Sequence, residues 1–198
     1  MKPRLTFIAQ LMTTTTQSLR FPVILIFLLP ILLPSWVAGA DEVVVKQVIT
    51  DTAIGENLLV EGAWLKYEQG FNFQDDSFVC DNGDAANVAR GASQSIVLDQ
   101  TRADPIIASV ESRCEGVEGS ANPDYSLYLD LIYTDGTTLW GQTALFDGGS
   151  HDWQRREVVI LPNKPVRQVS VYLLLRNHPG KAWFRNPRLG VVKAGAGG

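Results

Sequence analysis

Six aromatic and polar residues in the second half of the sequence have side chains suited to holding a ligand rich in hydroxyl groups. They fall in pairs that lie two or four residues apart, and in chain order they are Tyr128, Asp130, Trp140, Gln142, Tyr172 and Arg176. Flat aromatic rings stack on the apolar faces of sugar rings, and a few polar groups fix the hydroxyls. We therefore predict that these residues bind a sugar, provided that they line one groove. The alternative is that each tryptophan is an ordinary core or edge residue.

The stretch 124–184 carries the signals of β-strands that would position these side chains. Apolar residues in 127–133 alternate with Tyr128 and Asp130, and a period of two places alternate side chains on opposite faces of a strand. Asp135 and Gly136 predict a tight hairpin, because Gly accepts the positive φ that such a turn needs. Further β-branched runs occur upstream, and no long helix is indicated. The sequence therefore predicts an all-β, antiparallel β-sandwich.

The start of the chain is typical of an export signal. An apolar run at 21–33 follows basic residues and precedes a small-residue cleavage site at 38–40. This run is shorter than the roughly 20 residues that a spanning helix needs. We predict a signal peptide over 1–40, a secreted, extracellular domain over 41–192 with no membrane contact after cleavage, and a disordered tail over 193–198.

Net charge limits the expected partners. The whole chain carries −4, and loss of the three basic residues before position 41 would leave about −7. No basic patch is apparent, so the sequence predicts no nucleic-acid partner.

The two cysteines and the two histidines suggest structural roles. In an exported chain Cys80 and Cys114 are expected to form one disulfide, which would close a loop of about 35 residues and contribute roughly 3–4 kcal/mol. His151 and Asp152 are adjacent on a strand, so they point to opposite faces and do not form a catalytic pair. His178 is expected in an exposed turn. Residues 70–86 are expected to form a long loop, whose aspartates either hold calcium or are simply solvated.

Several short motifs resemble a known family. The span from about 91 to 192 resembles the carbohydrate-binding-module-like jelly rolls of the galactose-binding-like fold, which are appended to bacterial glycoside hydrolases. The matching pieces are 91–98, 124–128, 133–137, 139–142, 151–154, 162–165, 169–172 and 182–184. Upstream of this span, residues 57–62 also resemble the opening strand of such modules. The resemblance implies a jelly-roll sandwich, and this fold often holds a structural calcium. Arg185 and Asn186 stand where family members usually carry two acidic residues, so we predict no cofactor, with a structural calcium as the alternative.

These observations predict a secreted, non-catalytic carbohydrate-binding module that recognises a glycan or polysaccharide and is not an enzyme. The alternative is a structural or protein-interaction subunit of an extracellular assembly, whose partners would be other extracellular proteins. A third possibility is a small polysaccharide lyase or hydrolase, for which Gln142, Arg176 and His178 are the candidate residues.

Overall fold

The computed structural model describes residues 56–192, which form ten β-strands. Within this range there is no helix, and none of it can cross a membrane as a helix. The predicted signal peptide, the first part of the predicted extracellular domain and the predicted tail lie outside the described residues. In chain order the strands are β1 (Leu65–Glu68), β2 (Asn72–Gln74), β3 (Ser77–Gly83), β4 (Ala89–Val97), β5 (Ile106–Val117), β6 (Tyr125–Tyr133), β7 (Thr138–Leu145), β8 (Gly149–Ile160), β9 (Val166–Arg176) and β10 (Gly180–Val191).

The strands form two five-stranded antiparallel sheets that pack face to face. Sheet 1 has the order β1-β4-β9-β6-β7, and sheet 2 has the order β2-β3-β10-β5-β8. Neighbours in each sheet are mostly distant in sequence, as in a jelly roll. The predicted fold class, an all-β antiparallel sandwich, is therefore confirmed.

The core forms because one face of each sheet is apolar. In β6 the inward side chains Leu127, Leu129 and Leu131 are fully buried, and in β9 the inward side chains Val171 and Leu173 are equally so. Each alternates with a side chain on the outer face of sheet 1. Burying these apolar side chains drives the packing of the sheets and fixes which residues remain outside.

The hairpin predicted at Asp135 and Gly136 joins β6 to β7. Gly136 has a φ of 84°, and the Asp135 carboxylate accepts a hydrogen bond from the Thr137 amide at 3.0 Å. Lys164 donates to the other Asp135 oxygen at 2.8 Å. The hydrogen bond from Lys164, with those from Thr137, holds the pKa of Asp135 well below its usual range.

The region predicted to be a long loop contains two strands instead. β2 and β3 form a hairpin in which Phe73 pairs with Phe78, and the turn uses Asp75 and Asp76 at φ values of 49° and 54°. Asp tolerates this left-handed conformation better than most residues. The loop prediction is wrong because Phe78 and Cys80 turn inward and are buried, although polar residues surround them.

The predicted disulfide is also wrong, because Cys80 and Cys114 are free. Ala182 of β10 pairs with Cys80 of β3 on one side and with Cys114 of β5 on the other. The two cysteines are thus two strands apart, roughly 9.5 Å at the usual spacing. A disulfide needs Cα atoms within about 7 Å. Burial raises the pKa of the Cys80 thiol to about 12, so this thiol is unreactive at neutral pH.

Candidate ligand-binding surface

Three tyrosines lie side by side on the outer face of sheet 1, and we call them the tyrosine surface: Tyr67, Tyr128 and Tyr172. Tyr172 of the central strand β9 is in register with Tyr128 of β6. Its ring meets those of Tyr67 and Tyr128 edge to face, with both centroid distances at 5.8 Å. Edge-to-face packing is the favoured geometry for aromatic pairs. The result is a continuous aromatic strip across β1, β9 and β6.

Arg176 closes one end of the tyrosine surface. Its guanidinium carbon lies 5.7 Å from the centre of the Tyr128 ring, and one of its nitrogens is 2.9 Å from an Asp124 carboxylate oxygen. A second nitrogen is 3.5 Å from the Tyr67 hydroxyl. These contacts hold Arg176 in place while leaving it about a quarter exposed, so it can still donate to a ligand.

Asp130 and Trp140 flank the strip on the side of β7. Asp130 accepts a hydrogen bond from the Gly141 amide at 2.9 Å, and its carboxylate also interacts with the Tyr128 hydroxyl, so it is held beside the strip. Trp140 follows the core-packed Leu139 and is 57% exposed. A large aromatic side chain with this exposure is available for contact with a ligand.

The hydroxyls of Tyr128 and Tyr172 are hydrogen-bond donors at neutral pH. Partial burial raises the pKa of each phenol above its usual value, and the nearby Asp130 carboxylate raises both further. Because the neutral form is favoured, each hydroxyl can both donate and accept. The surface therefore combines ring area, two-way hydroxyls, a carboxylate and a guanidinium.

Gln142 does not join the other five predicted residues. Two residues opposite Asp130, Trp140 and Gly141, form a bulge, with Gly141 at a φ of 72°. The extra residue shifts the alternation by one position. Gln142 consequently pairs with the core-facing Leu129 rather than sharing a face with Tyr128.

Tyr67 is the residue that the sequence did not reveal. From the sequence, residues 64–67 are expected either to form a strand or to pack at the edge of the sandwich, and in the structure β1 occupies Leu65–Glu68. Only the pairing of β1 with β4, and of β4 with β9, carries Tyr67 next to Tyr172. The local alternation could show that Tyr67 faces one side, but not which aromatic residue it would meet.

The outer face of sheet 2 holds a second aromatic group, which we call the tryptophan surface: Trp153 and Trp183 with Arg113, Lys181 and Arg185. Arg113 lies 4.2 Å from the Trp183 ring centre and 5.6 Å from that of Trp153. Arg185 covers Trp153 at 3.8 Å, and Lys181 covers Trp183 at 4.9 Å. The protein's own cations thus occupy these rings by cation–π contact.

The histidines do not build a catalytic centre with their predicted neighbours. The His151 ring nitrogens contact the backbone oxygens of Asp152 and Asp147 at 2.7 and 3.1 Å. His178, expected to be exposed, is buried because its ring sits against the Glu118 carbonyl and the Asn122 side chain. It therefore does not line the tyrosine surface beside Arg176.

Acidic side chains are not clustered as a metal site in the described part of the chain. Between residues 56 and 192, no three His, Cys, Asp or Glu side chains are close enough together to hold a metal ion. Asp81, one of the aspartates considered for calcium, lies on β3 and pairs with Lys181 at 3.3 Å.

Comparison with solved structures shows the fold. The xylan-binding CBM22-1 domain of Paenibacillus barcinonensis superposes with a TM-score of 0.50 and 12% identity, over 71% of this chain and 97% of that one. The enzymatically active domain of tailspike protein 4 of bacteriophage CBA120 gives a TM-score of 0.51 and 11% identity, over 69% and 21%. The resemblance to the jelly rolls of carbohydrate-binding modules is therefore confirmed at the level of fold. No family model matches the sequence.

The curated proteins that are related to this chain by sequence are nucleases, unlike its neighbours by structure. The chain is 33% identical over 142 residues to the tRNA3(Ser)-specific nuclease WapA of Bacillus spizizenii, and 32% identical over the same length to the tRNA nuclease WapA of Bacillus subtilis strain 168. The match covers 70% of this chain but spans only 6% of the length of these relatives. The shared part thus corresponds to a small piece of a very large protein.

These relatives overturn two of the predictions. The sequence predicted a non-catalytic carbohydrate-binding module and no enzyme, whereas the curated proteins that share its sequence are named as nucleases. Both predictions are therefore corrected. The same names conflict with the predicted absence of a nucleic-acid partner, since a tRNA nuclease must meet tRNA.

Proposed function

We propose that this chain serves a tRNA nuclease of the WapA type as its β-sandwich domain, and that the tyrosine surface is where the domain contacts a ligand. The sequence match supports the assignment to such a nuclease, since 142 residues are shared at 32–33% identity. The small share of the relatives' length supports a role as one domain among several. In this proposal the cleavage of tRNA is an activity of the whole nuclease. The sandwich contributes to that activity by binding a ligand through its tyrosine surface.

The observation that carries the ligand-binding role is the partly exposed tyrosine surface, where one ring of the three has a cation near it. Its rings contact each other edge to face, and all three tyrosines are partly exposed. Next to it stand an exposed Trp140, the Asp130 carboxylate and the Arg176 guanidinium. No comparable opening exists on the tryptophan surface, where the three cations already cover the rings.

The partner that we propose for the tyrosine surface within this nuclease is a glycan. Rings provide stacking area for the apolar faces of sugars, and hydroxyl, carboxylate and guanidinium groups match sugar hydroxyls. The outer face of sheet 1 carries both kinds of group together. The structural neighbour from Paenibacillus barcinonensis, which shares the fold, is named for binding xylan.

The nuclease assignment is tested on the native protein. Antibodies against residues 56–192 would be used to precipitate the protein from its native source, and the precipitate would be incubated with total tRNA. We expect site-specific tRNA cleavage that is absent from a pre-immune precipitate. A precipitate that contains the sandwich but leaves every tRNA intact contradicts the assignment.

The glycan contact is tested separately on the purified chain. Affinity electrophoresis through xylan and other soluble cell-wall polysaccharides would compare the chain with Tyr172→Ala, Tyr172→Phe and Trp153→Ala variants. We expect Tyr172→Ala to weaken binding by at least about tenfold, ~1.4 kcal/mol, because it removes the central ring. Tyr172→Phe keeps the ring and should lose less, and Trp153→Ala on the other sheet should bind normally. Unretarded migration in every polysaccharide contradicts the glycan proposal, whatever the nuclease test shows.

A further inference from the structure

A pocket lies beside the β2–β3 hairpin, where residues 57–64 and the part of β10 at Asn186 and Pro187 complete its lining. It has a volume of about 660 Å³ and shares no residue with the tyrosine surface. Four aromatic side chains form its apolar wall, and we call it the aromatic pocket: Trp64, Phe71, Phe73 and Phe78. Its volume is typical of pockets that bind organic molecules.

Three of the four rings in the aromatic pocket pack against the fourth, that of the buried Phe78. Phe78 is only 7% exposed, and the rings of Trp64, Phe71 and Phe73 each approach it with centroids 5.0–5.2 Å away. Phe73 is nevertheless 56% exposed. An exposed Phe held in place by a buried one presents ring surface that lacks a partner in the described part of the chain. Such surface is unfavourable in water and favours a ligand.

The opposite wall of the pocket is fixed by hydrogen bonds. The Asn57 side chain donates to the Pro187 carbonyl at 3.0 Å and accepts from the Leu189 amide at 2.9 Å. The Gln94 side chain holds both the amide and the carbonyl of Val60, at 2.8 and 2.9 Å. Because these contacts anchor the wall to β10 and β4, the pocket is open before any ligand arrives. A site that is already formed has less ordering cost to overcome on binding.

The charged side chains that line the aromatic pocket are all negative. Two acidic side chains, Glu61 and Asp76, line the pocket, and neither lysine nor arginine does. Both residues are exposed, and neither carboxylate forms an ion pair with another residue between 56 and 192. An uncompensated pair of acids beside electron-rich rings attracts positive charge, because both the carboxylates and the ring faces stabilise a cation.

From this complementarity we propose that the aromatic pocket binds an organic cation, namely an ammonium group attached to an apolar body. The apolar body lies against Phe71, Phe73 and Trp64, and the ammonium group lies at the rim between Glu61 and Asp76. This site is additional to the glycan contact proposed for sheet 1 and does not depend on it.

The charge requirement is tested with a matched pair of probes. Phenylbutylamine is cationic at neutral pH, and phenylbutanol has the same apolar body without the charge. Binding of each to ¹⁵N-labelled chain would be followed by NMR through the indole N–H of Trp64. We expect the amine to bind at least about tenfold more tightly than the alcohol, ~1.4 kcal/mol.

Variants separate the contribution of charge from that of ring surface. In a Glu61→Gln/Asp76→Asn double variant, the amine should bind no better than the alcohol. Phe73→Ala should weaken the binding of both probes, and it should fold, since Phe73 is more than half exposed. The control is Glu115→Gln, which removes one negative charge from the outer face of sheet 2, away from the pocket. It should leave the affinities for the amine and for the alcohol unchanged.

Three outcomes would overturn the proposal. The first is equal affinity for amine and alcohol in the unaltered chain. The second is an amine preference that survives the double variant, and the third is no shift of the Trp64 signal at millimolar probe. None of them bears on the glycan contact, because retardation by polysaccharide depends on Tyr172 and not on the aromatic pocket.

Discussion

Both sheets of this sandwich carry aromatic rings on their outer faces, but the two faces differ in how far cationic side chains cover those rings. On sheet 2, Trp153 and Trp183 are covered by Arg113, Lys181 and Arg185 at 3.8–5.6 Å. On sheet 1, the tyrosines meet one another edge on, with Arg176 near one ring only. The presence of aromatic residues therefore does not by itself indicate a binding surface. What matters is whether the protein's own cations already occupy the rings.

The largest expected effect comes from the core that both surfaces share. Phe184 is fully buried and packs against Tyr125 and Phe146, each with centroids 6.0 Å away. Phe184→Ala should lower the free energy of unfolding by about 3–5 kcal/mol because it leaves a cavity between the sheets. Urea denaturation would measure this, with Val159→Ala, at an exposed position, as a control that should change little. A small loss for Phe184→Ala would mean that the two surfaces do not depend on one core.

A second prediction concerns the phenol that joins the two sheets. The Tyr125 hydroxyl of sheet 1 lies 2.7 Å from the Ser112 hydroxyl of sheet 2, and burial raises the pKa of Tyr125 well above 10. The unfolded chain then releases this proton first. The stabilisation is complete below about pH 10 and is lost as the pH rises further, at up to about 1.4 kcal/mol per pH unit.

Urea denaturation between pH 8 and 11 would measure that dependence. In the Tyr125→Phe variant, the free energy of unfolding should fall less steeply with pH above pH 10. The difference in slope should correspond to the release of one proton on unfolding. Some slope should remain, because burial raises the pKa of Cys80 to about 12 as well. An identical slope in the variant would show that Tyr125 ionises as freely in the folded protein as in the unfolded one.

The third prediction concerns a substitution, Arg113→Ala, that should make the outer face of sheet 2 more like that of sheet 1. Arg113 covers both tryptophans of sheet 2 and is about 38% exposed. Arg113→Ala should uncover part of each ring and raise the quenching of tryptophan fluorescence by acrylamide. It should cost about 0.5–1 kcal/mol of stability, the usual range for a partly exposed cation–π contact. Arg102→Ala, at an exposed loop position, is the matched control, and unchanged quenching in Arg113→Ala would contradict the proposed covering.

The smallest expected effect is that of a reducing agent. Because Cys80 and Cys114 are free and separated by β10, adding reductant should leave the free energy of unfolding unchanged. Titration of the unfolded chain without reductant should find two thiols. A loss of roughly 3–4 kcal/mol on reduction, the contribution expected of a disulfide across this loop, would show that the cysteines are joined after all.

The sequence by itself determined the features that depend on neighbouring residues. Period-two alternation predicted the strands and put Tyr128, Asp130 and Tyr172 on one kind of face, and Asp135 with Gly136 predicted the hairpin. These predictions succeed because side-chain direction along a strand, and the φ values of a tight turn, are set locally.

The tertiary structure alone decided everything that depends on pairing between distant strands. Placing β9 between β4 and β6 brings Tyr67 and Tyr128 to either side of Tyr172, and placing β10 between β3 and β5 keeps the cysteines apart. The bulge at Gly141 turns Gln142 toward the core side. Strand order and bulges arise from the packing of the whole sandwich, so no local pattern contains them. The same packing decided which rings the protein's own cations cover and which rings remain partly exposed without such cover.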